Sequence, residues 1–249
     1  MRLNYIDNVD CLEGMKEIPD GSVDLVLCDL PYGTTRNKWD TTLPLDLLWR
    51  EYERVTKENG AIVLFAQTPF DKVLGCSNLK MLKYEWIWLK EAGTGFLNSK
   101  KMPLKLHENI LVFYKKAPTY NPQMRKGFKP YKGLVSAKNL ASSNYGNTKN
   151  ASVTEVQYEG RFPVSVLEFS RDKDRRHPTQ KPVELCEYLI KTYTNPGEVV
   201  LDNCMGSGTT AVACVRTGRN YIGFELNQEY HKIALERLAA EIPSREVRR

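Results

Sequence analysis

The segment Cys28-Asp29-Leu30-Pro31-Tyr32-Gly33 sets a carboxylate, a stiff turn and an aromatic ring side by side, directly after an apolar run. Asp29 can accept hydrogen bonds. Pro31 holds the residue before it, Leu30, in an extended conformation, and Tyr32 offers a flat face to a planar group. A strand that ends in a proline turn with a solvated Asp would read the same way. A second segment, Leu201-Asp202-Asn203-Cys204-Met205-Gly206-Ser207-Gly208-Thr209-Thr210, joins a strand-like run to a helix-like one. Its small residues let the backbone turn sharply against a ligand. The helix that follows presents free N–H groups and a positive dipole end. Many nucleotide sites share this pattern. No Gly-Lys-Ser/Thr follows, so it is not a P-loop, and the third glycine of the dinucleotide fingerprint is absent. Glu225 comes about one βα unit later, where an acid either holds ribose hydroxyls or simply ends a strand. The last segment, His177-Pro178-Thr179-Gln180-Lys181-Pro182, has two prolines that fix a helix entry and two donors, Thr179 and Lys181. It also reads as a plain helix start.

These residues need a frame. Residues 22–30, 61–66, 84–90, 108–116, 198–204 and 220–226 read as strands. Residues 45–60 read as an amphipathic helix ending at Gly60, 181–197 as a helix stopped by Asn195-Pro196-Gly197, 207–218 as another, and 228 to about 242 as the last. The alternation predicts an α/β fold, a mostly parallel sheet with helices on both faces. Such sheets bind ligands beyond the carboxyl ends of their strands, where Asp29, the Gly206 turn and Glu225 all fall. Residues 115–176 have weak periodicity and are rich in Tyr, Gly, Asn, Ser and Lys. They read as an insertion from one sheet edge, too long for a simple connection.

The chain has 249 residues, 41% hydrophobic and 27% charged, which suits one α/β domain with an insertion and excludes a disordered chain. No apolar run is long enough to span a bilayer and the N-terminus lacks a signal-peptide core, so no membrane association and a cytoplasmic location are expected. Six cysteines without a Cys-x-x-Cys pair, and three histidines, predict no metal site and a reducing compartment. Residues 115–181 hold 14 Lys and Arg against 5 Asp and Glu, a net +9, while the rest of the chain carries −3. A basic segment in an otherwise slightly acidic chain is the footprint of a polyanion partner or of a lysine-rich solvated loop.

Taken together, the four segments and their order resemble the β-class S-adenosylmethionine-dependent amino methyltransferases of DNA, which make N6-methyladenine or N4-methylcytosine. In that family a (D/N/S)-P-P-(Y/W) motif comes first. An HPTQKP-like segment, a DPFxGSGTT-like loop and a ribose acid follow after a basic insertion. The resemblance covers residues 1–115 and 175–240. This chain departs from it at Leu30, where Pro is usual, and at Asn203 and Cys204. It implies a permuted Rossmann-like fold with a seven-stranded mostly parallel sheet, a single domain over residues 1–249 and an inserted target-recognition region at 116–175. It implies S-adenosylmethionine bound by Asp10, Cys11, Asp29, Thr179, Lys181, Asp202, Met205, Gly206, Ser207, Gly208, Thr209 and Glu225, with Asp10 near the adenine, Glu225 at the ribose, and Thr179 and Lys181 at the methionine end.

The resemblance also implies a catalytic set of Asp29, Leu30, Pro31 and Tyr32 acting on double-stranded DNA. An exocyclic amine is a poor nucleophile because its lone pair is delocalised. The Asp29 carboxylate and the Leu30 carbonyl would accept its two N–H bonds and leave the lone pair aimed at the methyl donor. Tyr32 would stack on the base, which must be flipped out of the duplex. Arg36 and Lys38 are expected near phosphates, or in a polar connector. In the insertion, basic residues interleave with Tyr120, Phe128, Tyr131, Tyr145, Tyr158 and Phe162. An acid first and Tyr last favour adenine N6. Cytosine N4 is the nearest alternative, and a non-catalytic DNA-binding module is the reading from another class. A monomer and a homodimer are both compatible with the sequence.

Overall fold

Aliphatic runs become strands and amphipathic segments become helices in the computed structural model, which describes residues 1–33, 41–129, 131–135, 154–158, 160–174 and 180–246. In chain order the elements are β1 (Tyr5–Asp7), α1 (Cys11–Met15), β2 (Val23–Asp29), α2 (Leu45–Val55), β3 (Thr56–Ala66), α3 (Phe70–Ser77), β4 (Leu82–Thr94), β5 (Lys105–Phe113), β6 (Tyr131–Val135), β7 (Thr154–Tyr158), β8 (Val166–Glu168), α4 (Val183–Tyr193), β9 (Val199–Asp202), α5 (Thr209–Thr217), β10 (Asn220–Phe224) and α6 (Gln228–Glu246). Residues 1–121 and 165–249 form one unit and Pro122–Val164 a second.

The first unit is built on a sheet in the order β1-β10-β9-β2-β3-β5-β4-β8. All its strands run one way except β5, which is antiparallel to both neighbours. The α/β class and mostly parallel sheet are as expected. The strand count is corrected from seven to eight. The extra strand is β8, which pairs with β4 from Ile87↔Val166 to Leu89↔Glu168. It covers backbone groups that a bare sheet edge would leave unpaired. With three residues and one inward side chain, Leu167, it shows no alternation to read.

Side chains alternate along the central strands, so each strand feeds two cores. On β3, Ala61, Val63 and Phe65 face α4, α5 and α6. Ile62, Leu64 and Ala66 face α1, α2 and α3. Burial on both faces explains the unbroken apolar run from Leu25 to Cys28 within β2. Each fully buried Leu or Val stabilises by roughly 1.5–3 kcal/mol.

The strand order reverses between β9 and β2. Their neighbouring carboxyl ends, registered through Val26↔Leu201, form the crevice where such folds bind ligands. Because β5 runs the other way, its first residues reach the same edge.

In the second unit β6 and β7 pair antiparallel, and Arg125 and Arg161 form an isolated bridge. Both guanidiniums approach the half-exposed ring of Phe128, at 5.2 and 5.8 Å. Among the described residues, no helix is long and apolar enough to cross a membrane.

Candidate active site

β2 delivers Asp29 to the crevice as its last residue. Tyr32 Oη donates to Asp29 Oδ1 at 2.7 Å, and Lys181 Nζ donates to Oδ2. The Tyr32 ring stacks on Phe70 at 5.3 Å, which fixes its plane. Lys181 enters from the start of α4 and also pairs with Glu108 Oε2 at 3.3 Å. Lys90 Nζ holds the other oxygen of Glu108 at 2.5 Å. Two carboxylates and two ammonium groups thus alternate in a chain from β2 through α4's entry to β5 and β4. Burial raises the pKa of Asp29, and Lys181 beside it works against that rise. Burial acts on Glu108 in the same sense, but Lys181 and Lys90 hold its carboxyl below the ordinary range. This alternation lets otherwise costly buried charges persist.

On the neighbouring strand, β9 ends at Asp202, whose Oδ1 accepts from the backbone N–H of Cys204 at 3.1 Å. Burial, the largest influence, pushes the Asp202 carboxyl up to about 6 against that bond and one from Thr210. The chain then turns through Gly206 (φ 54°) and Gly208 (φ 83°), conformations that favour glycine. A Cβ on Gly208 would meet Ala234 Cβ of α6 at 2.9 Å, so this turn packs directly on the last helix. Glu225, just past β10, accepts from the backbone N–H groups of Gly206 (2.7 Å) and Asn227 (2.8 Å) and is held across the turn. Burial raises its pKa in spite of those bonds.

A cavity of about 690 Å³ joins these parts. Of the sequence-predicted residues, it is lined by Asp29, Leu30, Pro31, Tyr32 and Lys181 on one side and by Asp202, Met205, Gly206, Thr209 and Glu225 on the other, with Asp10 and Cys11 at the α1 end. Asp10 Oδ1 also caps α1 by accepting from the N–H groups of Leu12 and Glu13. Ser207 and Gly208 are not part of the lining. The Ser207 hydroxyl meets Gln180 Oε1 at 3.2 Å and an Arg237 nitrogen at 3.0 Å. Thr179, Arg36 and Lys38 lie outside the described residues.

Sequence reasoning missed Glu108 and Lys90. Their signal is a charged residue inside a strand of aromatic and branched neighbours, with Glu108 registered against Trp88. It also missed Tyr52, whose hydroxyl donates to Asn203 Oδ1 at 2.5 Å beneath the cavity.

A family model described as DNA methylase, of the N6/N4 methyltransferase kind, matches residues 23–236. The chain is 32% identical over 246 residues to the DNA adenine methyltransferase YhdJ of Escherichia coli (strain K12), covering 92% of this chain and 80% of that protein. It is 29% identical to the Type II methyltransferase M1.MboII of Moraxella bovis over 92% of this chain and 94% of the other. Among solved structures, the M1.HpyAVI–SAM complex superposes with a TM-score of 0.63 at 26% identity, over 94% of this chain and 98% of that one. The cytosine-N4-specific PvuII DNA methyltransferase shares the fold, with a TM-score of 0.66 at 16% identity over 93% and 84%. The match over residues 23–236, on a chain whose crevice carries these residues, makes the protein a member of the N6/N4 DNA methylase family.

Proposed function

We propose that this chain transfers a methyl group from S-adenosylmethionine to the N6 amino group of adenine in double-stranded DNA. The observation that carries the reading is Asp29, with Tyr32 on one carboxylate oxygen and Lys181 on the other, at the end of a cavity whose far side is the Gly206–Glu225 turn.

The residues present fit the cofactor. The cavity volume lies in the range that holds a molecule of this size. No atom lies within 4 Å of where a Gly206 Cβ would stand, so backbone is bare at that point of the wall. Glu225 keeps free lone pairs for ribose hydroxyls after its two backbone bonds. Asp10 and Cys11 flank the adenine end, Asp202, Met205 and Thr209 form the floor, and Ser207 and Gly208 brace the turn from behind. Lys181 has a third N–H for the methionine carboxylate, with Thr179 beside it in sequence. When bound, the cofactor supplies a sulfonium-activated methyl group.

The chain's own residues supply position and electrostatics. Tyr32 and Lys181 orient the Asp29 carboxylate. Asp29 and the Leu30 carbonyl accept the amine's two N–H bonds. Pro31 keeps Leu30 extended, and Tyr32, backed by Phe70, stacks on the flipped base. Lys181 also works against the upward pull of burial on the Asp29 carboxyl, which favours it as an acceptor. Adenine is favoured by the acid-first, Tyr-last motif and by the YhdJ relative, whose name specifies adenine. Residues 116–175 serve as the target-recognition region, where arginines beside exposed aromatics suit phosphates and bases.

The test uses methyl-labelled S-adenosylmethionine, unmethylated DNA and nucleoside analysis. Label is expected in N6-methyladenine, and Asp29→Ala is expected to lower the rate by about 100-fold or more. Label in N4-methylcytosine would replace the base assignment and leave the site. DNA binding without transfer would sink the catalytic reading.

A further inference from the structure

Two of the positions at which this chain departs from the family's loop pattern, Asn203 and Cys204, meet Cys11 at the start of α1. Asn203 Nδ2 stands 3.6 Å from Cys11 Sγ and 3.5 Å from Cys204 Sγ. The two thiols thus flank one amide nitrogen. Both line the cavity. A third thiol, Cys28, is only 1% exposed and is not part of the lining. Hydrogen bonds from Cys204 and Asn203 hold the Cys11 thiol below the ordinary range despite its burial, whereas burial pushes Cys28 up to about 12. Of the thiols beside the cavity Cys11 is therefore the one held toward ionisation, and Cys204 shares its amide donor.

We propose that Cys11 and Cys204 form a peroxide-reactive dithiol site whose disulfide closes the cavity to its cofactor, the second half resting on the reading that this cavity holds S-adenosylmethionine. The Cys11 thiolate attacks a peroxide oxygen. An S–O bond forms, the O–O bond breaks, and the departing oxygen takes up a proton. The Cys204 sulfur then attacks the sulfenic sulfur. The S–S bond forms, the S–O bond breaks, and the hydroxyl leaves as water with the Cys204 proton. The two thiols together lose two electrons and the peroxide gains them. Drawing the two sulfurs from either side of the Asn203 amide to a bond of about 2 Å pulls the backbone at Met205 and Gly206 toward Asp10, across the wall that these residues share.

The experiment treats the purified chain with hydrogen peroxide, digests it without reduction and maps linked peptides by mass. Cofactor binding is measured by calorimetry before treatment, after it, and after dithiothreitol. A linked Cys11–Cys204 pair is expected, with binding weakened by about tenfold or more and restored by the reductant, and with linkage slowed by bound cofactor. Cys204→Ser is expected to give no linked pair and to leave Cys11 with a single-sulfur oxidation product in its place. Cys76→Ser, at the exposed thiol, is expected to behave as the parent. Sulfinic acid at Cys11 without linkage, or a Cys28–Cys204 pair in its place, overturns the site. Linkage that leaves cofactor affinity intact overturns the closure. An untreated chain that binds no cofactor defeats the functional reading instead, and the linked pair alone then decides the dithiol.

Discussion

Among single residues, Asp202 shows what the site costs the fold. Its carboxyl ordinarily titrates near 3.8, and burial moves it to about 6. The folded chain therefore prefers the protonated form. Below the unfolded pKa both states are neutral and nothing is lost. As the pH rises from about 4 through 6 the unfolded chain ionises first, and stability falls by roughly 3 kcal/mol. Asp202→Asn keeps an acceptor for the Cys204 N–H and cannot ionise. In urea denaturation it should exceed the parent by about that amount above pH 6 and converge with it near pH 4. A gap that does not vary with pH would show that ionisation is not the cause. Asp29 and Glu225 were legible in the sequence because each stands at a strand end beside turn residues. Glu108 and Lys90 were not, because the partner that joins Glu108 to the site, Lys181, lies far along the chain.

Elements were legible in proportion to their length. The long apolar strands and the helix after Gly208 fell where periodicity put them. The five-residue α1 and the three-residue β1 and β8 had too little pattern to read. The helix expected over residues 45–60 stops at Val55, because Thr56 turns to extended backbone (ψ 134°) and begins β3 at once. The polar residues after it had prolonged the helical pattern in the sequence alone. The turn between β9 and α5 makes two demands at one residue. At Gly208 the positive φ and the 2.9 Å approach to Ala234 act together. Gly208→Ala should destabilise by about 1–3 kcal/mol and weaken cofactor binding by pushing α6 from the turn. Thermal melts and calorimetry on the same samples check both. An unchanged melting temperature would mean that the turn yields easily.

For the whole molecule, charge is the feature that composition alone exposed. Residues 115–181 carry the positive excess, and on the proposed reading phosphates neutralised there would release counterions. Binding of a DNA duplex, followed by anisotropy across a salt series, should weaken steeply. Replacing Lys126 and Lys129 with Ala should lower the slope of log affinity against log salt by about 0.9 for each phosphate that the variant no longer neutralises. Equal slopes for parent and variant would place the phosphates against other basic residues.

The order of strands in the sheet also bears on biosynthesis. β1 and β2 are made one after the other but are not neighbours, since β10 and β9 lie between them. The half from β2 to β5 can pair as it emerges. The half that carries Glu225 and the Gly206 turn must wait for the last strands to slot into a gap left open throughout translation. Such long-range pairing is slow, and the newborn chain meanwhile exposes two strand edges. The period of greatest risk for aggregation is therefore the interval between synthesis of β2 and arrival of β10.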